Sequence, residues 1–365
     1  MQPLSWFSAA GMLPRPRTLR RVAAVLLALA ILPTTVLRDR SQRWDHHRQL
    51  SITRLAGAPA PGQLGPFRFV GAWQLSSEDY LFGGYSALLA RPDRHLLAIS
   101  DRGSWLEFTE PDTAAPPGLA LAQHGHAMSH MLRDKSEWTS IGDAEAAVTD
   151  VPPGAGGGHI WLSWEDRNAI SRFDMSGPGN WGHEQRAFPK VIRHWSPQFG
   201  AEAMARLPDG RFMVVSEDFA PHGFERVHLT LTFPSDPSAP AAPEPSHGDL
   251  TADAGYRPTD MVQLPDGRML ILLRRLTWLL PLRFSCRIAL ADPAELWRTG
   301  RWTARTLARL DPPLPTDNFE GLGLRPRGDG TFDVWVISDD NRGATQRTVL
   351  LKLALDPRTL PPAVR

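Results

Sequence analysis

The sequence predicts an all-β chain closed into a β-propeller, with five four-stranded blades. Three observations predict it. A unit of the form acid, short apolar strand, turn, β-branched strand, second acid recurs at 85–102, 144–167, 201–218, 259–275 and 318–341. The position that opens each unit is Ser86, Glu145, Glu202, Asp260 and Glu320, in steps of 59, 57, 58 and 60 residues, and a fixed period marks a repeat architecture. Finally, 34 Pro, 30 Gly and 13 Trp supply the turns and large packing groups that many short antiparallel strands need.

Each unit follows one plan. The opening acid starts a strand, as in EAMARL, DMVQL and EGLGL. A PDGR turn then reverses the chain at 208–211 and 265–268, where Asp-Gly allows the backbone angles of a tight hairpin. A second strand follows (FMVVS, MLILLR, FDVWVIS), then a third apolar run: NAISRF, VHLTLTF, FSCRIAL and TVLLKLAL. KVIRHW and WTARTLARL read as fourth strands, and the Pro-rich 233–250 as a long outer loop. The last unit shows only three strands. Residues 67–77 are expected to supply the missing one, tying the last blade to the N-terminal end and leaving no open edge. Six blades remain an alternative if 103–140 holds a degenerate one.

Outside the propeller, 67–356, the chain divides into three parts. Arginines 15, 17, 20 and 21 precede the apolar run 22–37, so 1–37 reads as an export signal or, left uncleaved, a membrane anchor. Residues 38–66 read as a linker and 357–365 as a tail. A periplasmic or secreted location follows, with the membrane met only through the N-terminal segment. A net charge of +1 gives no electrostatic footprint for nucleic acid. The single cysteine, Cys286, excludes an intramolecular disulfide, a cysteine zinc site and an iron–sulfur cluster. A monomer is expected.

In a propeller the first strands line the central channel. The period therefore gathers Glu145, Glu202, Asp260 and Glu320 at one mouth, with Ser86 as the gap. The second strands return to the same side and end in Asp101, Glu165 and Asp166, Glu217 and Asp218, Asp339 and Asp340. Two carboxylates about 5 Å apart repel by roughly 3 kcal/mol at an effective dielectric near 20. Such a rim needs compensation, and three kinds stay open: a hard cation such as Ca²⁺ among the oxygens; pairing with Arg102, Arg167, Arg274, Arg275 or Arg342; or each acid capping backbone amides of a neighbouring blade. For a cation the ligand set is Asp101, Glu202, Glu217, Asp260, Glu320 and Asp339. Carboxylate-held cation beside arginine suits a phosphate-ester site. Catalysis would then fall to Glu145, Glu202, Asp260 and Glu320, and binding of the anionic group to Arg102, Arg167 and Arg342.

Other motifs weigh less. Gly84-Tyr85-Ser86-Ala87 lacks the last glycine of a serine nucleophile elbow. His124, His126 and His130 have metal-like spacing but fall in an outer loop. GAGGGH at 154–159 lies in a hairpin rather than before a helix. Trp161, Trp164 and Trp335 read as blade packing.

The units AEAMARLPDGRFMVVSED and FEGLGLRPRGDGTFDVWVISDDN resemble those of the phytase-like family, described as having esterase-like activity, over about residues 67–356. The resemblance implies a secreted or periplasmic β-propeller that hydrolyses small-molecule carboxylic or phosphate esters. The alternative is a propeller that binds a ligand or protein partner without catalysis. Two departures stand out. Ser86 replaces an acid, and Leu273-Arg274-Arg275 replaces the expected Ser-Glu/Asp, so if the family's rim binds metal those blades cannot contribute in the same way.

Overall fold

The computed structural model describes residues 20–22, 25–27 and 49–363, apart from 80, 92, 113–119, 122, 126–142, 151–157, 166–167, 176–181, 188–191, 193–194, 196–199, 223–224, 240, 280 and 344. Two strands lead in, β1 (Gln49–Arg54) and β2 (Phe67–Ser76). Blade 1 comprises β3 (Tyr85–Ala90), β4 (His95–Ser100) and β5 (Trp105–Thr109). After the short β6 (Ala120–Leu121) it is completed by β7 (Gln123–Gly125). Blade 2 is β8 (Ala144–Thr149), β9 (His159–Trp164), β10 (Ala169–Asp174) and β11 (Gly182–Ala187). Blade 3 is β12 (Ala201–Arg206), β13 (Phe212–His222), β14 (Glu225–Phe233) and β15 (Ser246–Thr251). Blade 4 begins with β16 (Arg257–Gln263), β17 (Met269–Leu279) and β18 (Leu282–Ala291). Helix α1 (Pro293–Thr299) and the short β19 (Arg301–Thr303) then precede its last strand, β20 (Arg305–Arg309). Blade 5 is β21 (Asn318–Pro326), β22 (Phe332–Asp339) and β23 (Thr348–Leu355), with β2 antiparallel to β23, Phe67 opposite Leu355 and Leu75 opposite Thr348.

The first strands pack in a closed cycle, β3 on β8, β8 on β12, β12 on β16, β16 on β21 and β21 back on β3. The protein is thus a five-bladed propeller. Each space between neighbouring blades holds its own apolar layer. Between blades 3 and 4, Met213 and Val215 meet Met261, Ile271 and Leu273. Between blades 5 and 1, Trp335 and Ile337 meet Leu88 and Leu96. The hairpins close as their residues dictate: Leu207 N donates to Arg211 O and Leu264 N to Arg268 O, both at 2.8 Å. Gly210 and Gly267 take φ of 89° and 90° in those turns, a region β-carbons disfavour.

Several edges differ from expectation. Gln49–Arg54, read as linker, is a strand, because its apolar Leu50 and Ile52 pack into the layer between blades 5 and 1. Ser246–Thr251, read as loop, is the fourth strand of blade 3; its prolines end at 245, upstream of the paired residues. Blade 2 takes 182–187 as its fourth strand, and in KVIRHW the described Ile192 and Trp195 are buried in a turn instead. WTARTLARL splits: Arg301–Thr303 joins blade 3 in parallel with β15, and only Arg305–Arg309 stays with blade 4. No helix among the described residues is long and apolar enough to cross a membrane; most of 1–37 lies outside them.

At the end of blades 1 and 5 away from the opening acids, a buried charge network is well balanced. Lys352, fully buried, reaches Asp112 at 2.6 Å, Asp333 at 3.2 Å and Glu110 at 3.4 Å. Arg325 forks onto Glu110 at 2.8 and 2.9 Å, and Arg327 reaches Asp333 at 2.8 Å. The Trp335 indole donates to Glu110 at 3.2 Å while its ring lies 5.8 Å from Trp73. Trp335→Ala is expected to cost about 3–5 kcal/mol, read from urea unfolding. A loss below 1 kcal/mol would deny this side chain its structural part.

Candidate functional site

Four of the five opening residues sit at a β-bulge. Where β3 pairs β4, Tyr85 faces Ser100 and Ala87 faces Ile99, leaving Ser86 unpaired. Glu202 is skipped in the same way between Ala201 and Ala203, and Glu320 between Phe319 and Gly321. In blade 2 the shift spans Glu145 and Ala146. A bulge re-aims its extra side chain, which explains how residues that start a paired strand still point to the channel mouth.

Blade 4 breaks the expected pattern. There Pro258 faces Leu273 and Asp260 faces Leu272, so the skipped residue is Thr259. Asp260 is one residue out of phase, and a one-residue slip turns a side chain to the opposite face. Its carboxylate accepts from Met261 N at 2.8 Å and from Leu322 N in blade 5 at 2.7 Å. Asp260 therefore stitches blade 4 to blade 5 by capping backbone amides, and it stands apart from the other opening acids. The turn spacing carries the signal: Glu202 lies six residues before Pro208 and Glu320 six before Pro326, while six before Pro265 is Thr259.

The remaining acids converge. Glu145 feels Asp143, Glu320 and Glu165; Glu202 feels Glu145, Glu217 and Glu165; Asp339 feels Glu320, Asp101 and Asp340. Two sets of carboxylate oxygens lie within 4.8 Å of one another, Asp143–Glu145–Glu165 and Glu165–Glu202–Glu217, sharing Glu165. Asp143, two residues ahead of an opening acid, was not among the expected residues. Asp218 bonds locally to Phe219 N and, through its own N–H, to Ser216 Oγ. Arg167 and Asp166 lie outside the described residues, as do His126, His130 and most of 154–159; of His124 only the backbone is described.

Blade 4 answers this crowd with the opposite charge. Arg274 occupies the strand end where other blades carry Asp101, Glu217 and Asp339. It donates to Glu217 Oε1 at 2.7 Å, to Asn318 Oδ1 at 3.1 Å, and to Glu320. Asn318 in turn donates to Glu320 at 2.7 Å, and Arg257 reaches Glu217 at 3.3 Å. Arg102 and Arg342 both lower the Asp101 carboxyl, without offsetting its burial. Asp340 accepts from Gly84 N at 3.1 Å and Arg342 N at 3.0 Å. Gly84, at φ 70°, lets the chain pass so close to Asp101 that a β-carbon would lie 2.5 Å from its Oδ1.

The arginines do not balance the acids. Burial, then mutual repulsion, lifts Glu145, Glu202 and Asp339 well above the usual carboxyl range. Burial also lifts Asp101 to about 6 and Glu165 to about 7, and Glu320 to about 7 despite Arg274. The Gly200 amide, which donates to Glu165 Oε1 at 3.3 Å, lowers the Glu165 carboxyl without offsetting its burial.

The donor set fits a hard cation. All donor atoms are carboxyl oxygens, and oxygens bound at 2.3–2.6 Å to Ca²⁺ lie up to about 5 Å apart across the ion, a spacing that triads within 4.8 Å could meet.

A family model described as "Phytase-like: Esterase-like activity of phytase" matches residues 81–342. No curated protein matches the chain. Among solved structures it is similar to an endo-arabinase from Bacteroides thetaiotaomicron (9% identity, TM-score 0.46, covering 78% of this chain and 95% of that one). It is also similar to RS223-β-xylosidase (11%, 0.43, 79% and 94%). A third is the α-L-arabinanase of Penicillium chrysogenum (14%, 0.38, 88% and 96%).

The raised carboxyls give a signed pH dependence. Glu165 and Glu320 move from 4.5 to about 7, so between those values the folded chain holds more protons than the unfolded one. Stability then falls as pH rises through that window. In chelator, Tm is expected to drop by several degrees from pH 5 to pH 8. Glu202→Gln raises Tm at pH 8 and leaves it unchanged at pH 5; Arg274→Gln lowers it more at pH 8 than at pH 5. A flat Tm profile for all three would refute the charge imbalance.

Proposed function

We propose, from the premise that the chain belongs to the phytase-like family, that the acid-lined mouth is a cation-dependent ester-hydrolysing site, with phosphate esters as the preferred class and carboxylic esters as the second. The observation that carries this reading is the pair of carboxylate triads sharing Glu165, set opposite Arg274. Glu202, Glu217 and Glu165, with Glu145 and Asp143 beside them, would hold a divalent cation such as Ca²⁺. When bound, such a cation neutralises charge on an ester oxygen and lowers the pKa of water. An anionic ester meets this mouth favourably only with that charge cancelled, which is why the reading requires a cation.

The chain's own groups divide the remaining work. Glu320, lifted to about 7 and held by Asn318 and Arg274, accepts a proton from water, since a base poised near the working pH is the efficient one. Arg102 and Arg342 flank Asp101 and orient the anionic group. Asp101 and Asp339 extend the cation's outer field. Asp260 takes no part, because its oxygens are committed to backbone amides. Export through segment 1–37 to the periplasm or beyond belongs to the same proposal. A second reading, ligand binding without turnover, draws on the burial of the opening acids, with Glu202 at 4% and Glu320 at 7% exposure.

Purified protein is expected to retain a divalent cation, and its removal to lower Tm in proportion to the affinity lost. With p-nitrophenyl phosphate and p-nitrophenyl acetate, Glu202→Gln and Glu320→Gln are expected to cut turnover about a hundredfold or more, and Asp260→Asn to weaken stability while sparing turnover. Turnover that survives both glutamate changes and chelation would move the chemistry elsewhere. Cation retention with no turnover on either ester would leave the binding role.

A further inference from the structure

Blade 4 carries a second unusual feature, beyond the mouth. Strands β17 and β18 do not stop at the rim. They run on together, Arg275 opposite Ser285, Trp278 opposite Arg283 and Leu279 opposite Leu282. Leu279 stands five residues past Arg274, about 16 Å of strand. The tip reads Leu276-Thr277-Trp278-Leu279-Leu280-Pro281-Leu282. Its described large apolar side chains are open to solvent: Trp278 is 63% exposed, Leu279 69%, Leu276 46% and Leu282 39%. Among the described propeller residues the one other large hydrophobic so exposed is Trp297, at 45%, with the Arg211 guanidinium 4.1 Å from its ring. Four of the five large hydrophobics exposed among the described propeller residues thus lie in one hairpin.

Charge frames it. Two exposed arginines flank the tip, Arg283 directly across from Trp278 and Arg275 three residues behind it, stacked on Tyr256 at 4.5 Å. Thr277 Oγ1 donates to Arg283 O at 2.9 Å, which stiffens the hairpin. An apolar Trp/Leu end flanked by arginines matches a bilayer: rings and leucines enter the interface while the long guanidinium side chains reach back to headgroup level. The same chain carries an apolar run at 22–37 behind four arginines.

We propose that the hairpin tip 276–282 docks into an anionic phospholipid surface and holds the acidic mouth facing it. The arginines supply the preference for anionic lipid. The carboxylates of the mouth lie behind these arginines, and Arg274, next to Arg275 in the strand, already bonds Glu217 and Glu320, so Arg275 and Arg283 meet the headgroups first. The substrate class for the proposed hydrolysis narrows accordingly to esters presented at a lipid surface. That refinement rests on the hydrolytic reading; the docking itself does not, and the test reads docking alone.

The test uses the full chain and a single fluorescent label. Cys286 is fully buried with its thiol pushed up to about 12, so a cysteine placed on the surface is labelled selectively. A polarity-sensitive dye goes on Leu279→Cys, or on Gly328→Cys in the turn at the opposite end of β21, where a β-carbon meets nothing within 4 Å. On vesicles of phosphatidylcholine with phosphatidylserine, the dye at 279 is expected to shift to the blue and to be quenched by lipid-borne quenchers, and the dye at 328 to stay unchanged. Arg275→Gln and Arg283→Gln are each expected to weaken this response about fivefold. If the chain floats with vesicles while the dye at 279 stays in water, the N-terminal run alone binds and the proposal falls. Dimerisation abolished by Trp278→Ser, without lipid contact at 279, would make the tip a protein interface and overturn it equally.

Discussion

The interaction on which the structure depends is repulsion between buried carboxylates that ring closure forces together. Blade packing is apolar and would be satisfied by many side chains. The mouth is different, because Glu145, Glu202 and Glu320 reach it from separate blades and meet Glu165, Glu217 and Asp339 there. Arg274 is the group through which this crowd is held, with bonds into two blades besides its own. Its guanidinium is retained by burial among anions rather than in spite of them.

Comparison of the two ends of the propeller shows that this imbalance is a property of one face. At the far end, Glu110 and Asp333 are equally buried, yet Lys352, Arg325 and Arg327 match them at hydrogen-bonding distance. Neutralisation was therefore available to this chain and is withheld at the mouth. Unmatched buried charge is costly to stability, and perturbed titrating groups gather where chemistry is done. The extended hairpin of blade 4 rises from the same face, so charge and apolar exposure share one side of the molecule.

Much of this was legible in the residues. The period near 58 residues located the blades, because each must repeat the same strand-turn-strand plan to bury both faces. The acids of four blades followed from that period. Two things were hidden for physical reasons. Asp260 looked equivalent to Glu202 because both are acids near a strand start; pairing register, set by the PDGR turn, decides which side chain is the bulged one, and it selects Thr259. Asp143 and Asn318 were overlooked because they precede the strand pattern, and only the folded chain brings them beside Glu145 and Glu320. Arg274 was visible as a departure from the repeat, and the structure gives that departure its meaning as a counter-charge bonded to acids of blades 3 and 5. The edge strands were least legible, since outer positions demand little of sequence.

One such edge has a mechanical consequence. The three residues Arg301–Thr303 lie in the chain between the third and fourth strands of blade 4, yet pair with blade 3, where Trp302 is wholly buried and donates to Thr230 at 3.0 Å. Blade 4 is thereby laced into its neighbour in mid-sequence. A force that peels blade 4 from the wheel must first pull this stitch out of blade 3, so the two shear and rupture as a pair, whereas a blade without such a stitch could detach singly.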